Sequence, residues 1–184
     1  VLLQRCMFQN VFDEPNAFIV SAPLDHNSVA VAAYNLTAPE VPVSGKVSKE
    51  DYRDASAMIL PYTGPWEIPE EGLFIYDWYN QNGEILKDSR AFKIKAFDDS
   101  FFILSPIVHG WSVIGITDKF LSPAVVRNLQ YSDEKLEVEL EEGGTFVFYS
   151  DKVPACEGLE VRMVTDGLWK VDVPAGVREF VIRK

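Results

Sequence analysis

Apolar positions along the chain recur in short runs rather than in helical stripes. Ala91-Phe92-Lys93-Ile94-Lys95-Ala96-Phe97 alternates with period two. Phe92, Ile94 and Ala96 fall on one face, Lys93 and Lys95 on the other. Leu136-Glu137-Val138-Glu139-Leu140 alternates in the same way, so both segments predict half-buried strands. Phe101-Phe102-Ile103-Leu104 is continuously apolar and predicts a strand buried on both faces. Ser105-Pro106 should stop it, because proline removes a ladder donor and its ring restricts the preceding residue. Trp111-Ser112-Val113-Ile114-Gly115-Ile116 restarts the pattern, and the two runs together predict a strand pair in the core.

Shorter runs predict further strands at 17–21, 28–35, 57–62, 73–79, 84–86, 146–149, 160–164, 169–173 and 179–182. Asn80-Gln81-Asn82-Gly83 predicts a hairpin between 73–79 and 84–86, since Asn-Gly favours tight turns. Asp166-Gly167 predicts another. Asp98-Asp99-Ser100 and Glu141-Glu142-Gly143-Gly144 read as turns, and residues 37–43, with two prolines, as loop. Residues 5–15 read as an irregular lead-in that buries Phe8, with Phe12 as a second candidate. Ser48 with Asp51 resembles a helix N-cap box carrying Asp in place of Glu, and predicts one short helical turn. Ten or more short strands without a long helix predict an all-β fold, an antiparallel β-sandwich. No repeat, low-complexity tract or linker divides the chain, so residues 1–184 are expected to form a single domain.

Of the 184 residues, 47% are hydrophobic, enough to fill one core. The net charge of −11 argues against nucleic acid and against an anionic membrane surface, both of which select Lys and Arg. No apolar run approaches the roughly 20 residues of a membrane span. Val1-Leu2-Leu3 is followed at once by Gln4 and Arg5, unlike a signal peptide, and a start at Val1 fits a removed initiator Met or a piece of a longer protein. Cys6 and Cys156 read as two buried thiols of a cytoplasmic protein rather than a disulfide. Neither belongs to a CxxC or has a histidine nearby in sequence, so no metal site is expected.

Candidate chemistry is sparse. His26 and His109 are the two histidines, and His109-Gly110-Trp111 could line a site, although a loop histidine beside a buried strand is more often a local hydrogen-bonder. Asp77, Asp98, Asp99 and Asp118 could supply a carboxylate pair for glycoside hydrolysis. Asp98 and Asp99, however, read as turn formers, and 28 acidic residues guarantee chance pairs. Trp78, Trp111 and Trp169 lie in predicted strands and read as core. Trp66, between Pro65 and Pro69, is the one tryptophan placed to stack on a sugar ring. Without a nucleophile elbow, phosphate loop or metal motif, no catalytic, cofactor or metal residue is assigned.

From Cys6 almost to the end, the chain resembles the carboxy-terminal domain of the raffinose synthase, seed imbibition protein and alkaline alpha-galactosidase group of glycoside hydrolase family thirty-six. The matching segments run in order. Cys6-Met7-Phe8 is similar to the Cys-Leu-Phe located after the barrel in that group, and 29–35 to a strand ending Phe-Asn. Val47-Ser48-Lys49-Glu50-Asp51 resembles its Val-Ser-Pro-Lys-Asp segment, and Phe102-Ile103-Leu104-Ser105-Pro106-Ile107 its strand ending Val-Ser-Pro-Val. Ile114-Gly115-Ile116 with Ala124 and Leu129 is similar to its Ile-Gly-Leu strand and the segment just after that strand. Phe148-Tyr149-Ser150-Asp151-Lys152 with Cys156 resembles its Phe-x-Ser-Glu-Lys segment and later Cys.

In that group the two catalytic Asp residues lie on an upstream (β/α)8 barrel, and this sequence starts where the barrel would end. The resemblance therefore implies a non-catalytic accessory domain. Its partner would be a catalytic barrel of the same or an adjacent polypeptide, with galactosides as a second candidate partner. Leu36-Thr37-Ala38-Pro39 replaces a Cys- and Gly-rich loop of the plant pattern, and Arg5 stands where an Asp often precedes the Cys. Those departures favour simple alpha-galactosidase activity of the parent protein over transfer to sucrose. The rivals are a carbohydrate-binding module built on Trp66 and a small stand-alone glycosidase using an Asp pair.

Overall fold

A computed structural model describes residues 3–4, 16–37, 41–57 and 64–184. The predicted lead-in with Phe8 and Phe12, Cys6, and the predicted strand 57–62 beyond Ala57 lie outside the described residues. Ala57 itself caps the helix.

The strands are β1 (Leu3–Gln4), β2 (Phe18–Pro23), β3 (Val29–Tyr34), β4 (Val43–Ser48), β5 (Leu73–Asp77), β6 (Asn82–Leu86), β7 (Ser89–Ile94) and β8 (Asp99–Pro106). The second half adds β9 (Trp111–Ile116), β10 (Val126–Tyr131), β11 (Lys135–Leu140), β12 (Gly144–Ser150), β13 (Ala155–Cys156), β14 (Val161–Thr165), β15 (Leu168–Val173) and β16 (Glu179–Arg183). Helix α1 (Lys49–Ser56) comes after β4, and a 3-10 helix, Ser122–Val125, precedes β10. A large sheet runs β1-β2-β3-β8-β5-β6, and β4 pairs with β7 in a small sheet. An inner sheet runs β14-β15-β12-β9 and an outer sheet β10-β11-β16-β13. The strands pair antiparallel throughout, giving an all-β sandwich-like fold.

Alternation along the strands sorts the apolar side chains into three layers. The first lies between the large sheet and the small sheet with α1, where Val43, Val47 and Tyr52 meet Val31, Leu73 and Phe102. In the middle layer Phe74, Tyr76 and Ile103 of the large sheet meet Ile114, Val147 and Leu168 of the inner sheet. The third layer packs Trp111, Phe146 and Phe148 against Leu136, Val138 and Ile182 of the outer sheet. Strands β5 and β8 therefore bury both faces, which is why 101–104 carries no polar alternation. Each such side chain contributes roughly 1.5–3 kcal/mol through burial.

Strand β9 must feed two layers, and a bulge makes that geometry available. Gly115 pairs with Val147 but Val113 pairs with Phe148, so Ile114 is the extra residue. Ile114 enters the middle layer while Val113 and Ile116 enter the third. Gly115 has φ +97, and a Cβ there would overlap the Ser122 carbonyl.

Several expectations change. The predicted core pair β8 and β9 belongs to different sheets, joined through Ser105 and Ser112. Ser105 Oγ donates to the Val113 carbonyl (2.8 Å) and Ser112 Oγ to the Ser105 carbonyl (3.2 Å). Pro106 is the last residue of β8, opposite Leu73, because the end of a strand tolerates a missing donor. The β5–β6 turn is residues 78–81, with Asp77 opposite Asn82, so Asn82-Gly83 already lies in β6 and Trp78 lies in the turn. Gln81, not Gly83, takes the positive φ. Helix α1 has two turns rather than one. Asp51 accepts the Ser48 N–H (2.7 Å) and Ser48 Oγ (3.2 Å), and Tyr52, Ala55 and Ser56 are buried. Tertiary burial extends what the cap begins.

Candidate functional site

The residues singled out by sequence are held in local structure. Trp66 is half-buried on the first apolar layer, its ring 5.7 Å from that of Tyr52, and its N–H donates to Ser56 Oγ. Burial pushes the Tyr52 phenol up to about 12. His26, in the β2–β3 turn, brings Nε2 within 2.6 Å of the Val126 carbonyl and so ties the large sheet to the start of β10. Trp111 and Trp169 are core, as expected, whereas Trp78 is half-buried at the turn.

The four candidate carboxylates serve separate local features. Asp77 is buried and accepts the Asn80 N–H, Asn80 Nδ2 and Arg90 Nη2. Asp98 accepts the Asp99 N–H and Asp99 the Tyr79 hydroxyl. Asp118 accepts the Thr145 N–H at 2.8 Å. Among the described residues no group of three or more His, Cys, Asp or Glu is arranged to hold a metal ion. The Cys156 thiol is free and half-buried, and burial pushes its pKa up.

His109 belongs to a clasp at the opposite end of β8. His109 and Gly110 take positive φ in the β8–β9 turn. His109 Nδ1 lies 2.7 Å from Asp133, and the Gly110 N–H donates to Glu71. The Lys184 side chain is 2% exposed, its ammonium pairing with Asp151 (2.6 Å) and donating to the His109 carbonyl (2.7 Å). It also sits 4.4 Å from the centre of the Trp111 ring. Each group in this clasp has a partner, so it reads as a fastening of β16 to the β8–β9 turn.

An unpredicted feature lies at the other end of the large sheet, where β3 and β5 finish and β8 begins, beside the end of β7 of the small sheet. Asn35 gathers that end. Its N–H donates to the Asp98 carbonyl and its Nδ2 to the carbonyls of Val41 and Lys95. Around it stand Leu36, Val41 and Phe97, all exposed. Tyr79, bonded to Asp99, continues the rim. Phe120, just beyond β9, stacks on Trp78 (4.2 Å, 22°) and meets Phe101 edge-on. Leu121 is its chain neighbour.

Six of the nine exposed large apolar residues among those described fall on this rim: Leu36, Val41, Tyr79, Phe97, Phe120 and Leu121. Phe97 is 72% exposed and held at φ +54, a conformation costly for a bulky side chain. Strand alternation does not reach it: β7 ends at Ile94, and Phe97 lies in the turn beyond at φ +54. Phe120 and Leu121 left no signal either, because they come after the strand and only the fold brings them to Trp78.

No protein-family model matches the chain, and no curated protein matches it. Among solved structures it is similar to alpha-galactosidase I from Mortierella vinacea, at 11% identity and a TM-score of 0.37, over 52% of this chain and 22% of that one. It is also similar to the Arthrobacter globiformis T6 isomalto-dextranase complexed with panose, at 9% identity and a TM-score of 0.33, over 90% of this chain and 33% of that one. The chain thus spans a third or less of the length of either protein.

Proposed function

We propose that the chain is a non-catalytic accessory domain of an alpha-galactosidase-like glycoside hydrolase. In this reading it docks its aromatic rim on apolar surface of a catalytic (β/α)8 barrel, on the same or an adjacent polypeptide. The observation that carries the proposal is the rim itself. Exposed apolar side chains gathered at one end of a fold mark interaction sites, and aromatic side chains supply most of the energy of such contacts. Phe97 sharpens the point: its backbone conformation costs the free chain stability, and its ring gains little burial there. The ordered sequence resemblance supplies the identity of the partner. The bonding of Asp77, Asp98, Asp99 and Asp118 in turns and strand ends agrees with a chain whose chemistry lies elsewhere.

The test has two arms. The purified chain is assayed on an aryl alpha-galactoside, where turnover would overturn the proposal. The chain is then mixed with the barrel polypeptide, and association is measured by sedimentation. Phe120→Ser and Phe97→Ser should weaken association by tenfold or more each, the scale of a buried aromatic contact at about 1.4 kcal/mol or above. Unchanged association in both variants would reject the rim as the docking surface.

A further inference from the structure

The large sheet ends at β6, and the phase of hydrogen bonding along β5 decides which backbone groups face outward there. The Trp78 N–H donates to the Phe101 carbonyl, and the Ile107 N–H to the Gly72 carbonyl. Gly72 and Trp78, at either end of β5, therefore share the phase that bonds to β8, together with Phe74 and Tyr76. Leu73, Ile75 and Asp77 take the opposite phase and bond to Leu86, Glu84 and Asn82 of β6. Gly83 and Ile85 fall between those pairs, so the N–H and C=O of each point away from β5. Among the described residues no strand pairs with that side of β6, and neither residue makes another backbone bond. No proline interrupts Asn82–Leu86, and no bulge turns the strand aside. The edge is open to a further strand.

The same two residues lie opposite Tyr76 and Phe74, so they face the middle layer, and that layer is open along β6. The opening is a groove of about 500 Å³ between Gly83, Ile85 and Lys87 on one side and Thr165 and Asp166 of the β14–β15 turn on the other. Phe74 and Tyr149, stacked at 4.9 Å and 27°, lie in it. The Thr165 hydroxyl is buried there without a partner. Burial pushes the Tyr149 phenol up, and the carboxylates of Asp151, Glu71 and Asp166 push it further, so the field at this ring is negative. Lys87 is the one cation of the lining. Glu84 is engaged with Arg90 and Asp151 with Lys184. Among the described residues Asp166 makes no ion pair, which leaves its carboxylate to a cation from outside.

We infer that β6 accepts an antiparallel strand from a basic peptide segment, paired through Gly83 and Ile85, with an arginine entering the groove between Tyr149 and Asp166. The backbone row selects the class of partner, because only an extended peptide presents donors and acceptors two residues apart along its whole length. Directly opposed residues of antiparallel strands share a face, so partner side chains opposite Gly83 and Ile85 enter the groove. Arginine suits it, since a planar guanidinium both stacks on an aromatic ring and forks a carboxylate. The surface is separate from the aromatic rim and involves none of its exposed side chains.

Amide chemical shifts of the 184-residue chain are monitored while a short peptide alternating threonine and arginine, blocked at both ends, is titrated in. Saturable shifts of Gly83, Ile85 and Thr165 are expected, with Kd on the order of 0.1–1 mM. The same peptide with glutamate in place of arginine should bind about tenfold more weakly or worse, and blocked arginine alone should not saturate. Ile85→Pro removes one outward N–H without touching the ladder to β5, and should weaken binding about tenfold. Methylating the backbone nitrogens of the peptide's arginines tests the same bonds and keeps the question open if that variant does not fold. Asp166→Asn should weaken binding about three- to fivefold. Equal binding of the glutamate peptide, saturation by blocked arginine alone, or indifference to peptide methylation or to Asp166→Asn would overturn the inference. So would a dimer of the chain alone, seen by sedimentation, whose formation shifts Gly83 and Ile85, because the edge would then belong to a second copy. None of these results bears on barrel docking, which Phe97→Ser and Phe120→Ser read separately.

Discussion

Replacing Gly115 by Ala should be among the most damaging single substitutions in this chain. Two costs add. At φ +97 an L-residue loses about 1–2 kcal/mol relative to glycine. The new methyl group also overlaps the carbonyl of Ser122, which is backbone and cannot swing aside. Relief requires the 3-10 helix Ser122–Val125 to move off β9, taking buried Val125 and Pro123 with it. Such overpacking shifts cost about 1–3 kcal/mol. The sum, about 2–5 kcal/mol, is a large share of the roughly 5–15 kcal/mol that stabilises a domain. Urea unfolding monitored by tryptophan fluorescence would show it as a lower midpoint with an unchanged slope. Gly176→Ala is the control, because a Cβ there meets nothing and no unusual φ applies; its effect should stay within about 0.5 kcal/mol. A Gly115→Ala loss below about 1 kcal/mol would refute the bulge argument.

The same geometry sets further expectations. Phe97→Asn should stabilise the isolated chain by about 0.5–1 kcal/mol, since Asn tolerates the left-handed region and little burial is lost; thermal unfolding reads the sign. Asp51→Ala should cost about 1–2 kcal/mol, as the buried Ser48 N–H loses its acceptor and α1 its cap, visible as a lower denaturation midpoint. Lys184→Met should destabilise by about 1–2 kcal/mol and alter Trp111 emission, because it strips the His109 carbonyl of a donor and removes the cation from the ring. The Tyr52 and Tyr76 phenols, both pushed up to about 12 by burial, ionise only above the ordinary value near 10. The unfolded chain therefore releases protons first as pH rises, and their contribution to stability is full below about pH 10 and lost towards pH 12. Tyrosinate absorbance tracked with unfolding would reveal that window.

Period-two runs marked most strands correctly, and the limits of that reading are instructive. The run 101–104 read as buried on both faces, and β8 is so, with Phe102 and Leu104 in one layer and Ile103 in another. The same reading joined β8 to β9, because adjacency in sequence resembles a hairpin until the sheet memberships are known. At 80–83 the Asn-Gly signal announced a turn within two residues of its place. Gly83 holds its position for a different reason: a Cβ there would strike the Phe74 ring and the Ile75 carbonyl.

The sequence by itself determined the all-β class, most strand positions and the cap before α1. Each depends on neighbours one to four residues away, where period and capping geometry are direct physical consequences of order along the chain. Only the tertiary structure decided the three-layer stacking, the gathering of Leu36, Val41, Tyr79, Phe97, Phe120 and Leu121 on one rim, and the groove between Ile85, Tyr149 and Asp166. Those features join residues dozens of positions apart. Their meeting depends on which sheet each strand enters, and burial is settled across whole faces rather than within any one run.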